Sequence, residues 1–515
     1  MPLAEISSMR SSMPVYTVAE TRAIEQSASA GLPAGTLMAR AGLAAAELAR
    51  ELLGERGRAV LVLAGLGNNG GDAFEAAAHL RQWFFRVSVV FTGTMERLPA
   101  DARAALGKWR AAGGDIADTI PADFRADLVI DGLFGIGLAR PIGGPDAELI
   151  EAVNRYGKPI LALDIPSGIS GDTGQSLGSA IRATTTLTFL TMKPGLLTLD
   201  GPDHCGELCC DQLGVDIAAF VPAGTPTGWF VGRPLAGDFP IKRPSNFHKG
   251  HAGSVVIFGG ADGMTGAALL AGRAALRVGA GKVFVGMLDE HALCIDPNQP
   301  ELMLRPATQL VAVARREADA IAVGPGLGTS LPAYELLKAI LAIGVPLILD
   351  ADALNLIAAH SDLAASVVQR RAQTLITPHP AEAARLLATT TESVQADRLA
   401  AARSLASRYN AIAVLKGNGS ITATPPGDYW INGSGNPGMA AAGMGDVLTG
   451  FIASLVTQYR DSARDPAAAT RFGVWLHGAA ADTCVQRGIG PIGLTASDVI
   501  DAARTVINHP HKQIS

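Results

Sequence analysis

Short apolar runs recur along the whole chain, each closed by Gly, Pro or Asp: AVLVLA (59–64), VSVVF (87–91), DLVI (127–130), PILAL (159–163) and TTLTFL (185–190). Runs that are continuously apolar, and not alternating, belong to strands covered on both faces. Helical-looking segments lie between most of them, and that alternation builds a parallel sheet clothed by helices. The first domain therefore reads as doubly wound α/β, entered through a helical lead-in, TVAETRAIEQSASA and then LMARAGLAAAELAREL. The pattern fails in AAFVPAGTPTGWFVGRPLAGDFPIKRPSN, about residues 218–246, which is rich in Pro and Gly and shows neither period. It restarts with SVVIF (254–258), KVFVG (282–286), DAIAV (319–323), PLIL (346–349), TLI (374–376) and AIAVL (411–415). Two domains are expected, over residues 1–225 and 240–515. In the second, a helix over 265–279 is expected to bury Leu269, Gly272 and Leu276 and to turn Arg273 and Arg277 another way.

A chain of 515 residues is too long for one ordinary core. Its 48% hydrophobic and 17% charged content excludes a disordered or coiled-coil protein. A net charge of −5 without a basic stripe leaves no electrostatic footprint for nucleic acid. The cysteines, Cys205, Cys209, Cys210, Cys294 and Cys484, are odd in number and lack paired CxxC spacing, which argues against a disulfide framework or zinc site. The opening MPLAEISSMRSSMPVYTVAE has no apolar h-region, and no stretch reaches about 18 apolar residues. The reading is a cytoplasmic protein that engages neither membrane nor nucleic acid.

Polar loops stand at the strand ends. GLGNNGGDAF (65–74) follows the first strand, DGLFGIGLARP (131–141) the third and DIPSGISGDTG (164–174) the fourth. Ligands of open α/β sheets bind at such ends. Neither the dinucleotide GxGxxG nor the P-loop pattern is present. Asn69, Asp131 and Ser167 are hard oxygen donors suited to an alkali or alkaline-earth ion, although each alone also suits a turn or cap. In the second half, HKGHAGSVVIFGGADGMTGAALL (248–270), GPGLG (324–328), DADALN (350–355), TPHPAEAARLL (377–387) and LKGNGS (415–420) would converge on one cleft. His379 between two prolines serves either a ligand or a helix cap, and Lys416 either a phosphate or ribose, or solvent. Asp350, Asp352 and Asn355 either position magnesium or cap a helix. In GNPGMAAAGMGDVLTG (435–450), the glycines and a helix start form an anion trap that contains one acid, Asp446. Such an acid is either an N-cap or a base that works on a hydroxyl while the backbone holds a phosphate.

NNGGD, DGLFGIG, DIPSG and LTFLTMKPGL, in that order, resemble the NAD(P)H-hydrate epimerase family over about residues 14–220. The resemblance implies a Rossmann-like domain that interconverts the R and S forms of hydrated NADH or NADPH at C6. It implies a potassium ion on Asn69, Asp131 and Ser167. It also implies substrate contacts from Asn68, Asn69, Gly70, Gly71 and Asp72, from Gly135, Ile136, Gly137, Leu138, Ala139, Arg140 and Pro141, and from Asp164. Asp164 is the acid/base group on this reading, because inverting a carbinolamine centre moves protons on and off its oxygen. Lys193, in the last motif, is either functional or a solvated or capping lysine.

HKGxxG, GGxxGMTGAA, GPGLG, DADALN, TPHPAE, LKG and GNPGMAAAGMGDVLTG resemble the ADP- or ATP-dependent NAD(P)H-hydrate dehydratase family, of ribokinase-like fold, over about 246–505. The implied reaction phosphorylates the C6 hydroxyl of the S hydrate and then eliminates phosphate. Asp446 is the implied base, with substrate contacts at Ala267, Gly326, His379 and Asp446 itself. Nucleotide contacts fall at Lys416, Gly417, Asn418, Gly419, Ser420 and Gly445, with Mg²⁺ as the usual companion of phosphoryl transfer. Met444 stands where the family has Ser or Thr, which implies altered nucleotide affinity. The fused arrangement resembles the ADP-dependent branch, and the family implies a homo-oligomer. Two rivals remain: a small-molecule hydroxyl kinase, and a first domain that only binds, like the related domain of a eukaryotic decapping enhancer protein.

Overall fold

A computed structural model describes residues 7–8, 12–221, 228–233, 243–460 and 467–509. The chain divides into two compact units, 1–227 and 228–515. Much of the Pro- and Gly-rich stretch expected to be irregular lies outside the described residues, but it contains a strand, Gly228–Val231, which belongs to the second unit. That unit thus begins ahead of the expected 240. The strand takes its regularity from pairing in parallel with Tyr429–Asn432, a tertiary partner invisible to local pattern.

In the first unit the strand Ala59–Ala64 pairs in parallel with Arg86–Phe91 on one side and Leu128–Gly132 on the other. Ile116–Ala117 lies outside the first neighbour, and Ile160–Leu163, Thr185–Phe189 and Glu207–Asp211 follow the second in turn. Strand order therefore reverses about Ala59–Ala64, as in doubly wound sheets. The continuous apolar run has a direct cause. Val60, Val62 and Ala64 enter one core cluster, with Leu48, Phe74 and Trp109 from three covering helices. Leu61 and Leu63 enter another, with Ile150 and Val153 from the helix Gly144–Arg155. A strand residue on either face meets a helix, so none is polar.

The second unit repeats this plan. Ser254–Gly259 pairs in parallel with Lys282–Met287 and with Ala320–Val323; Met303–Pro306 flanks the former, and Leu347–Leu349, Thr374–Ile376 and Ile412–Leu415 extend the latter. Ile421–Ala423 and Tyr429–Asn432 continue it antiparallel. The helix Thr265–Arg277 differs from expectation: its most buried residues are Ala268, Ala271, Gly272, Ala274 and Ala275, whereas Leu269 and Leu276 are only partly buried. A close neighbour explains this. A Cβ at Gly450, on the helix Met444–Tyr459, would lie 2.2 Å from the Ala271 carbonyl oxygen, so only small residues fit that contact.

Candidate active sites

In the first unit, a cavity of about 610 Å³ opens where strand order reverses, a size suited to a nucleotide-like ligand. The NNGGD motif lines it and forms the first turns of the helix Asn68–Gln82, the helix that the Gly-rich stretch 65–74 was expected to open. Two glycines permit the close approach: a Cβ at Gly65 would lie 1.8 Å from the Leu133 carbonyl oxygen, and one at Gly70 would lie 2.0 Å from that of Gly65. Asn68, Asn69 and Asp72 line the cavity, as do Gly135 to Arg140 and Asp164; Gly70, Gly71 and Pro141 do not line it.

Asn69, Asp131 and Ser167 gather at one edge. Asn69 Nδ2 donates to the Phe134 carbonyl at 3.1 Å, and its buried Oδ1 has no hydrogen-bond partner. Ser167 Oγ and backbone N–H donate to the two oxygens of Asp131 at 2.6 and 2.8 Å. Asp131 is fully buried, and burial pushes its carboxyl up to about 6 against the pull of these bonds.

Asp164 leaves the strand Ile160–Leu163 in the left-handed region, with φ +62°, a conformation that marks functional positions in non-glycine residues. Lys193 Nζ meets its Oδ1 at 2.6 Å and also donates to Thr188 Oγ1 and the Phe189 carbonyl, both at 2.8 Å. With a side chain only 1% exposed, Lys193 is not solvated, and it precedes the short turn Pro194–Leu196 without a side-chain cap bond. Glu25 and Asp72 line the same cavity. Burial and then the Asp164 charge push both carboxyls up; Glu25 and Glu75 add to the push on Asp72, whereas Lys193 and Arg22 draw Glu25 down.

In the second unit the loops after the two central strands, 260–264 and 324–328, touch: Gly260 and Ala261 donate to the carbonyls of Pro325 and Gly326 at 3.0 and 2.7 Å. Gly326 sits at φ +59°, where a Cβ would lie 2.5 Å from the Met264 carbonyl oxygen and 3.2 Å from Ala267 Cβ. Gly328 N–H donates to Asp352 at 2.9 Å, which joins the 350–355 loop to this edge. Asp350, 1% exposed, accepts from Lys416 Nζ and Thr449 Oγ1, both at 2.7 Å. Lys416 also lies 3.9 Å from Glu382, and a Cβ at Gly445 would lie 3.4 Å from its Nζ. The loop beyond is closed by Gly417 N–H donating to Ser420 Oγ at 3.2 Å, while that hydroxyl donates back to the Gly417 carbonyl at 2.9 Å. Burial lowers the Lys416 ammonium, but the charges of Asp350, Glu382 and Asp446 outweigh it and hold it above its usual value.

Asp446 is not an N-cap. Gly443, at φ +87°, caps the helix Met444–Tyr459, whose start has no side-chain cap bond, and Asp446 stands in its first turn. Burial and then Asp350 push its carboxyl up to about 7, Lys416 draws it down, and Asp352 adds to the rise. Met444 is buried, 5% exposed, in the core cluster that also holds Val447, Leu448 and Phe451. His379 does cap a helix: its Nδ1 accepts from Ala381 N–H at 3.1 Å, and Glu382 accepts from its own N–H at 2.8 Å. Nor are the acids of the DADALN loop caps, since the helix Asp352–Ala359 starts from Ala351 without a side-chain cap.

Residues 34–195 match a sequence family described as YjeF-related protein N-terminus, and residues 255–504 match one described as NAD(P)H-hydrate dehydratase. The bifunctional NAD(P)H-hydrate repair enzyme Nnr of Coxiella burnetii is 38% identical over 96% of this chain and 99% of its own. The chain belongs to the bifunctional NAD(P)H-hydrate repair enzyme family. The Escherichia coli member is also 38% identical, over 93% of this chain and 90% of its own. Among solved structures, the ADP/ATP-dependent NAD(P)H-hydrate dehydratase of Bacillus subtilis, co-crystallised with ATP and Mg²⁺, is 30% identical; the match covers 52% of this chain and 94% of that one, with a TM-score of 0.45.

One group in the repair enzyme's first cavity escaped the motifs. The match to the first family begins at residue 34, beyond the helix Val18–Ser29 that brings in Thr21, Arg22 and Glu25. The sequence did carry a signal for that helix. Thr17 and Glu20 form a capping box, with Thr17 Oγ1 accepting from Glu20 N–H at 3.3 Å and Glu20 accepting from Thr17 N–H at 2.7 Å. Thr21 Oγ1 then meets Thr191 Oγ1 at 2.6 Å and fixes the helix beside the Lys193 segment. Among the described residues no helix is long and apolar enough to cross a membrane.

Proposed function

We propose that the chain repairs hydrated NADH and NADPH in two steps, epimerising C6 in the first unit and dehydrating the S epimer in the second with ADP as phosphoryl donor. Asp446 carries the second half of this reading. A base that takes a proton from a hydroxyl near neutral pH needs a pKa near neutrality, and burial beside Asp350 gives Asp446 one of about 7. It takes the C6 hydroxyl proton, while the N–H groups at the start of the Met444–Tyr459 helix receive the moving phosphoryl group. Lys416, held in place by Asp350, neutralises phosphate charge beside Gly445, and the loop from Gly417 through Asn418 and Gly419 to Ser420 receives the rest of the nucleotide. Ala267, Gly326 and the outer edge of His379 receive the hydrate. The upward push of Asp350 and Asp352 on Asp446 suits a nucleotide-borne Mg²⁺, which would offset phosphate charge and which Asp352, outside the lysine pair, would help to hold.

In the first unit Asp164 is the base, and Lys193 holds it in place at 2.6 Å. Asn68 and Asp72 on the helix, and Gly135, Ile136, Gly137, Leu138, Ala139 and Arg140 on the loop, enclose the nicotinamide end. The orphaned Asn69 Oδ1 and the fully buried Asp131, with Ser167 Oγ, fit a potassium ion that would supply the missing positive charge and fix the loop. Recovery of dihydronicotinamide absorbance from a mixed R and S hydrate tests both halves. Complete recovery with ADP is expected; a stop near half sinks the epimerase step, and no recovery with ADP or ATP sinks the dehydratase.

A further inference from the structure

The first cavity holds more acid than its epimerase reading has used. Glu25 from the helix Val18–Ser29, Asp72 from the helix Asn68–Gln82 and Asp164 from a strand end face one space with Asp101, Arg22, Arg140 and Lys193, and of these cations Lys193 forms an ion pair with Asp164. Lys193 is committed to Asp164 at 2.6 Å and to two further acceptors. Carboxylates that line one cavity repel one another's charge, so a proton on one of the two helix acids is favoured while Lys193 sits with the strand-end acid.

Inversion of C6 needs two proton-handling groups. As the C6–O bond breaks, its electron pair leaves with oxygen and a proton must arrive to release water, while the N1 lone pair forms the C6=N1 bond. Water then adds to the other face of C6, the C6=N1 pair returns to nitrogen, and the incoming water gives up a proton. One carboxylate cannot be donor and acceptor on both faces at once.

On the basis of the epimerase reading, we propose that Asp72 is the acid that protonates the departing oxygen, that Asp164 is the base that accepts the proton of the entering water, and that Glu25 is the positioning residue that keeps a proton on Asp72. Asp72 suits the first role because it lines the cavity from the helix start, whereas Asp164 is paired with Lys193 from the strand side. Glu25 suits the third because the capping box and the Thr21–Thr191 contact hold its helix rigidly. Exchange among the coupled carboxyls returns the proton after each turnover.

The test follows R-to-S conversion by separating the two hydrates, using the full chain and no nucleotide, across pH. Asp72→Asn is expected to lower kcat by about 100-fold or more. Glu25→Gln removes the negative charge that raises Asp72, so it is expected to move the alkaline limb of kcat to lower pH and leave KM for the hydrate in place; Glu25→Asp should restore the limb. Thermal melts of the variants identify any that fail to fold, and the Glu25 series carries the test if Asp72→Asn is among them. An Asp72→Asn enzyme within threefold of wild type, or a Glu25→Gln limb that does not move, overturns the proposal. Wild type that does not epimerise at all sinks the epimerase reading and this proposal with it, whereas an active wild type with unmoved variants sinks the proposal alone.

Discussion

Each half of the chain buries a lysine against a carboxylate at almost the same distance, 2.6 Å for Lys193 and Asp164 and 2.7 Å for Lys416 and Asp350, yet the partner differs in kind. In the first half the lysine is paired with the proposed catalytic acid itself. In the second it is paired with a neighbour, and the proposed catalytic acid, Asp446, is left to burial and to the charges of Asp350 and Asp352, which push it up to about 7 against the pull of Lys416. The same two residue types therefore produce two different working groups. Asp164 is a lysine-paired carboxylate suited to steer a small molecule's proton, whereas Asp446 is poised near neutrality to take a proton from a hydroxyl that is about to meet a phosphoryl group.

The sharpest way to break this comparison is to exchange the acids one at a time. Asp446→Asn should lower ADP-dependent dehydration of the S hydrate by roughly 1000-fold while R-to-S conversion continues, and Asp164→Asn should do the reverse. Separate assays of the two steps read this directly, and either variant impairing both steps equally would mean that the halves do not act as separate centres. A smaller effect comes from Lys193→Met. Removing one partner of a buried pair leaves the other uncompensated, so the first half should lose about 3 kcal/mol of stability at neutral pH, measured by urea unfolding. A loss under about 1 kcal/mol would place the pair in the range of surface ion pairs and undo its reading as a buried anchor.

The sequence and the structure part company at the same kind of place in both halves. Central strands were legible because burial on both faces leaves no polar position: AVLVLA and TLI coincide with Ala59–Ala64 and Thr374–Ile376. Gly228–Val231, Glu207–Asp211 and Met303–Pro306 escaped, since strands away from the centre owe their regularity to a neighbour in the sheet and carry exposed or polar residues. At the sites, the motifs brought out Asp164 and Asp446, but no local pattern says which acid a lysine will reach, because Lys193 and Asp164 are 29 residues apart and Lys416 and Asp350 are 66 apart. Glu25 escaped for a simpler reason. It is one polar residue on an amphipathic helix, indistinguishable in sequence from a solvated glutamate until Asp72 and Asp164 are placed beside it.

The last prediction asks whether the second half can be converted to the logic of the first. Asp446 must be ionised to act as a base, and its pKa is raised from 3.8 to about 7 in the fold, so dehydration should decline as pH falls through about 7. The same shift means that the fold favours the protonated carboxyl: its contribution to stability is complete below 3.8 and is lost as pH rises through about 7. Asp350→Asn removes the neighbouring charge that raises Asp446 and frees Lys416, which already draws Asp446 down, so both changes act in one direction. The acid limb of kcat/KM for dehydration should move to lower pH, with Asp446 approaching the lysine-held state that Asp164 has. If the limb stays near 7 in this variant, burial with the Asp352 charge sets the pKa, and the difference between the halves does not lie in which carboxylate the lysine holds.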